Sequence, residues 1–180
     1  NRSQRGGEIK FTKQTSQELS LKNVTGAYPL DIDGDGFMDL AVLRVGANVI
    51  LKGAAECHFT PFDNFKDDYL SGWTTSFSAT WESGQSLPTM AFGNYVDRNN
   101  PEGPFGTCDQ NFLYRPNGAN YLDQLALDPG YCPLSMLFTD WGRQGRADLR
   151  VSNDRHYYLH DGEEQMWKMT DEPQLYSAQE

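Results

Sequence analysis

Three stretches of this chain can be laid over one another, and that repetition constrains the fold more than any single motif does. They are "NVILKGAAECHFTPF" from Asn48, "NFLYRPNGANYLDQL" from Asn111 and "HYYLHDGEEQMWKMT" from His156. Each reads as a strand, a polar turn and a second strand. Each also follows a loop: "DIDGDGFMD" from Asp31, "WESGQSLPT" from Trp81 and "DWGRQGRAD" from Asp140. The distance from loop to repeat is 17 residues in the first unit and 30 in the second, an excess of 13 visible as the insertion "VDRNNPEGPFGTCDQ". Without the insertion the period is about 48 residues, which suits one four-stranded antiparallel unit.

The flanking segments fit the same scheme. "TTSFSATW" and "LSMLFTDW" read as strands leading into the second and third loops, and "EIKFTKQT" near the start reads as the outer strand of a preceding unit. Helix signals are nearly absent. Only "SQELSL" and "FDNFKDDYLSG" suit a short turn, the latter as a connection between units. The expectation is an all-β fold with units at approximately residues 24–70, 71–130 and 131–172 of a single domain, 1–180.

The first loop carries the chemistry. Asp31, Asp33, Asp35 and Asp39 fall within nine positions together with two glycines. So many carboxylates repel one another unless a cation or several backbone N–H groups neutralise them. Calcium takes six to eight oxygen ligands in flexible geometry. Asp31, Asp33 and Asp35 would give side chains, Phe37 its carbonyl oxygen and Asp39 the closing carboxylate. An EF-hand loop begins in the same way but needs a Glu at position twelve and a helix on each side. Here position twelve is Val42, and "DLAVLRV" alternates like a strand. An Asp-rich turn without metal is the plainer alternative.

The other loops are reduced versions. The third keeps Asp140 and Asp148 at the first and ninth positions, with Gly142 and Gln144 at the third and fifth, so it is a weak metal site or none. The second has Trp81, Ser83, Gln85 and Thr89 at the four positions and no carboxylate among them.

The pattern D-x-D-x-D-G-x-x-D-L running into a strand resembles the FG-GAP or VCBS repeat of β-propellers. With "AFGNYVDR" and "QNFLYRPNGANYLD" added, the order of elements resembles the cartilage acidic protein family, which includes bacterial proteins carrying an ASPIC/UnbV module. The resemblance covers roughly residues 8 to 169 and is strongest in the first unit. It implies a partial β-propeller of about three four-stranded blades with calcium-binding loops, completed by the rest of its polypeptide or by neighbouring subunits. It also implies a secreted or cell-surface protein that binds calcium and acts through protein or saccharide ligands, in adhesion, matrix or extracellular assembly. No catalytic residues come with it, so the chain reads as no enzyme. A noncatalytic propeller or carbohydrate-binding part of a larger extracellular enzyme is the alternative.

Charge and cysteines narrow the setting. A net charge of −10 leaves no basic face for nucleic acid. No apolar stretch approaches the 18 residues that a membrane span needs. The chain opens at Asn1 without a signal peptide and reads as a mature or internal piece of something longer. Cys57, Cys108 and Cys132 lack C-x-x-C spacing, which speaks against zinc. Cys108 and Cys132 lie in Gly/Pro-rich loops and would gain about 3 kcal/mol by pairing; three reduced thiols are the other reading. Asn23 and Asn1 begin N-glycosylation sequons.

Catalytic signatures are missing: there is no G-x-S-x-G elbow, no H-E-x-x-H and no Gly-rich phosphate loop. His156, Tyr158 and His160 would share one strand face, where cross-strand packing is the plainer reading than a metal pair. Glu163–Glu164 and Asp67–Asp68 read as solvated charge. Trp73, Trp81, Trp141 and Trp167 read as core filling, with a sugar-stacking face as the alternative.

Overall fold

The computed structural model describes residues 5–65, 71–101, 107–121, 123–154 and 162–176. These residues form an all-β, antiparallel structure without an α-helix, and none of its sheets closes into a barrel. The first four strands are β1 (Val24–Leu30), β2 (Asp39–Ala47), β3 (Val49–Ala54) and β4 (His58–Pro61). They pair in chain order, each with the next. β5 (Ser71–Thr80), β6 (Thr89–Asn94), β7 (Asn111–Tyr114) and β8 (Gln124–Leu127) do the same. So do β9 (Pro133–Thr139), β10 (Asp148–Asn153), β11 (Gln165–Lys168) and β12 (Gln174–Leu175). The first two meanders are joined where Val45–Ala47 of β2 pairs with Ser71–Trp73 of β5.

Strand sequences explain the stacking. In β6 all six residues are buried, and alternate side chains face opposite ways. Met90 and Phe92 join Ala41, Leu43, Ile50 and Phe77 in a core toward the first meander. Ala91 lies instead with Leu113, Met136, Leu149, Val151 and Trp167 in a second core toward the third meander. A strand covered on both faces is apolar in its middle, as "MAF" is, and its buried polar ends Thr89 and Asn94 are hydrogen-bonded. Burial of a side chain such as Phe92 contributes about 1.5–3 kcal/mol. The ring of Phe92 also meets Tyr114 edge-on at 5.5 Å and Phe77 at 5.0 Å.

A buried polar chain ties the first two meanders at the opposite end from the loops. Asn48 Nδ2 donates to Thr74 Oγ1 at 2.7 Å, and Thr74 Oγ1 donates to Asn94 Oδ1 at 2.7 Å. The Asn94 amide donates to Asn111 Oδ1 at 3.0 Å. The insertion expected before Asn111 falls between β6 and β7. It is anchored by a disulfide between Cys108 and Cys132, which closes a sequence separation of 24. Cys57 is a free, exposed thiol.

Two sequence expectations are corrected. "EIKFTKQT" forms no strand: residues 8–15 are exposed and irregular, and no strand pairing among the described residues includes them. In the third unit the strand beside β10 is "QMWK" at Gln165–Lys168, where the repeat alignment had placed it at His156. A second insertion, after Asn153, displaces it along the sequence. His156, Tyr158, His160, Asp67, Asp68 and Asn1 lie outside the described residues. "SQELSL" does contain a turn, closed by the Ser20 amide on the Gln17 carbonyl at 3.1 Å. No helix among the described residues is long and apolar enough to cross a membrane.

Candidate metal centre

The first loop joins β1 to β2, and its fold follows from the residues that punctuate it. Gly34 and Gly36 adopt φ of +72° and +87°, a region that side-chain-bearing residues enter at a cost. That curl points the Gly36 amide at Asp31 Oδ2, 3.0 Å away. The Asp35 amide donates to Asp33 Oδ1 at 3.3 Å and the Phe37 amide to Asp35 Oδ1 at 2.9 Å, so the aspartates also act as turn formers.

Asp39, the first residue of β2, is fully buried. Its Oδ2 accepts the Ile32 amide and its Oδ1 the Gly53 amide, both at 2.7 Å. It therefore fastens both ends of the loop to the third strand of its own meander. Gly53 is required there, because a Cβ would come within 2.0 Å of the Met38 carbonyl oxygen.

Carboxylate oxygens of Asp31, Asp33 and Asp39 lie within 4.8 Å of one another. Asp31 Oδ1 is buried and has no hydrogen-bond partner. Asp35 stands outside this group. Its carboxylate faces the ammonium of Lys52 on β3, with Nζ 2.9 Å from Oδ2, and Lys52 also contacts Asp33. Phe37 is exposed.

Electrostatics follow that division. The Phe37 amide, followed by Lys52, holds the Asp35 carboxyl below its ordinary range. Hydrogen bonds to Asp33 and Asp35 raise Lys52 above its usual value. Burial pushes the Asp39 carboxyl up, against the two amides that favour its charged form, and Asp33 and Asp35 add to the upward push. In chemistry the oxygen set is one a hard cation takes, and a second positive charge would relieve the residual repulsion.

The third loop has the same backbone turn. The Gly145 amide donates to Asp140 Oδ2 at 2.8 Å, as Gly36 does to Asp31, and Gly145 has φ of +75°. The second oxygen of Asp140 accepts the Gln144 amide at 2.7 Å. Asp148 repeats Asp39: it begins β10, is 5% exposed, and its Oδ1 accepts the Met169 amide at 3.0 Å. Its Oδ2 accepts the Tyr176 hydroxyl at 2.6 Å, and Arg146 Nε lies 3.7 Å from Oδ1. Gly142 and Gln144 bring no further carboxylate.

In the second loop the buried Thr89 stands where Asp39 and Asp148 do. Its hydroxyl donates to Glu82 Oε1 at 2.6 Å, and Arg115 Nε pairs with the same oxygen at 2.8 Å. Glu82 is a structural partner of the loop that reading by loop spacing passed over. Its signal was a lone acid one residue after Trp81.

Elsewhere the tryptophans divide. Trp167 is buried in the second core, and Trp73 meets Tyr95 edge-on beneath Arg98. Trp81 and Trp141 are 50% and 64% exposed. Glu163 and Glu164 are exposed, as are His58 and the sequon residue Asn23. Compared with protein-family models and with curated proteins, the chain matches none.

Proposed function

We propose that this chain is a segment of a calcium-stabilised β-propeller, working as a secreted or cell-surface interaction module. The observation that carries the reading is the orphaned oxygen of Asp31, buried among three converging carboxylates. Its counterpart on Asp140, in the same turn, has a backbone donor. A cation ligated by Asp31, Asp33 and Asp39 accounts for the difference, with Lys52 turning outward to admit it.

Three four-stranded meanders in series support the blade reading. A disulfide supports an oxidising, extracellular setting, where such bonds persist. Closed propellers have roughly four to eight blades. Three blades leave open faces, and on β9 Leu134 and Leu137 are exposed. More of the same polypeptide or a neighbouring subunit covers them.

Amide exchange and light scattering on residues 1–180, with calcium and with chelator, test both parts. Calcium should slow exchange along β2, and the segment should run above monomer mass. A monodisperse monomer, protected throughout and indifferent to calcium, would contradict the reading.

A further inference from the structure

Strand pairing places a basic side chain at the same point of every meander. Leu40 pairs with Leu51, Met90 with Tyr114 and Leu149 with Trp167. The next residues in the chain are Lys52 and Lys168, on the third strands, and Arg115, just past the end of its own. Lys52 meets Asp33 and Asp35, and Arg115 meets Glu82. In the third unit the acids are replaced by Gly142 and Gln144, and Lys168 makes no ion pair among the described residues. It lines a cavity of about 280 Å³ at the third loop instead, with Asp140, Trp141, Gln144, Arg146 and Asp148. That volume is close to the lower end of the ~300–1,000 Å³ typical of small-ligand sites.

We infer that this cavity binds an uncharged saccharide. Charge decides among ligand classes. Asp140 and Asp148 balance Arg146 and Lys168, so the lining is formally neutral. A metal ion would find two cationic side chains beside carboxylates already engaged by backbone amides and the Tyr176 hydroxyl. An anion would meet those carboxylates and a chain of net charge −10. Sugar hydroxyls both donate and accept, and so match a wall that mixes the carboxylates with the donors of Lys168, Arg146 and Gln144. Trp141, 64% exposed, offers a flat apolar face for a pyranose ring to stack on.

The inference names a ligand class for the interaction module and rests on that reading for its biological sense, but the site itself does not need calcium. Saturation-transfer NMR on the full chain with methyl α-D-mannoside, methyl β-D-galactoside and methyl β-D-glucoside tests it. Sodium glucuronate and calcium chloride serve as charged competitors. At least one glycoside should bind. Trp141→Ala should weaken it by roughly tenfold or more, the loss of one stacking contact, and Lys168→Met by a similar factor. Trp81→Ala should leave binding unchanged, and so should chelation of calcium, so a failure of calcium at the first loop stays separate. Both Trp81 and Trp141 are exposed, and their variants should keep the fold by circular dichroism. No binding of any of the three glycosides, binding indifferent to Trp141→Ala, loss of binding on chelation of calcium, or stronger binding of glucuronate would each overturn the proposal.

Discussion

The first and third loops share a backbone and differ in what they are able to hold. Both curl so that a glycine amide reaches the first aspartate, and both begin the next strand with a buried aspartate whose oxygens are taken by partners elsewhere in the meander. The ninth-position acid is thus a structural fastener in both, whatever else it does. The loops part at the third and fifth positions. Asp33 and Asp35 bring charge that Lys52 only partly offsets, whereas Gly142 and Gln144 bring none and the Gln144 amide satisfies Asp140. A turn and its acidic cluster are therefore separable: the glycine that reaches the first aspartate and the two end aspartates recur in both loops, and only the first adds Asp33 to bring a third carboxylate alongside them.

Removing the shared fastener should have the largest effect, and in calcium-free buffer an equal one in both loops. Asp39→Ala leaves the Ile32 and Gly53 amides unmatched, and Asp148→Ala removes the acceptor of the Met169 amide and of the Tyr176 hydroxyl. With a lost buried partner costing about 1–3 kcal/mol each, urea unfolding should show a loss of about 2–6 kcal/mol for either variant. A loss confined to Asp39→Ala would break the equivalence.

Converting one loop into the other is the next test. Gly142 does not need a positive φ, and a Cβ there meets nothing nearer than the Gln144 side chain at 3.6 Å. Gly142→Asp with Gln144→Asp should therefore fold and create a second calcium site, weaker than the first because Arg146 and Lys168 are close by. Calorimetry that shows unchanged stoichiometry would mean that more than the inner carboxylates separates the loops.

The smallest expected effect belongs to Lys52→Met. In the proposed site Lys52 would compete with a metal for Asp33, so its removal should tighten calcium binding by roughly three- to tenfold, less than the full Coulomb energy because the group is solvent-exposed. Weaker calcium binding in that variant would show that Lys52 supports the ligand set instead of opposing it.

Much of this was legible because periodicity survives in the residues that build strands. "DLAVLRV" alternates and becomes β2, and the loops at 31, 81 and 140 each lead into the second strand of a meander. What escaped was whatever depends on pairing. "EIKFTKQT" has strand composition, but a strand exists only where a neighbour takes its hydrogen bonds. His156 stood at the right distance from loop three, yet an insertion moved the paired strand to Gln165. The equivalence of Lys52, Arg115 and Lys168 is likewise invisible until register is known, since unequal insertions hide it along the chain. The fastening role of Asp39 and Asp148 was also hidden, because a carboxylate that receives amides and one that ligates a metal have the same sequence signature.

Calcium titration by isothermal calorimetry, run on wild type, Asp33→Ala and Asp140→Ala, tests the central claim most directly. The account predicts one strong site per chain in wild type, weakened about 10- to 100-fold or lost in Asp33→Ala, since loss of even an outer-shell partner costs that much, and unchanged in Asp140→Ala. Three equal sites, no binding at all, or the same affinity in wild type and Asp33→Ala would contradict it.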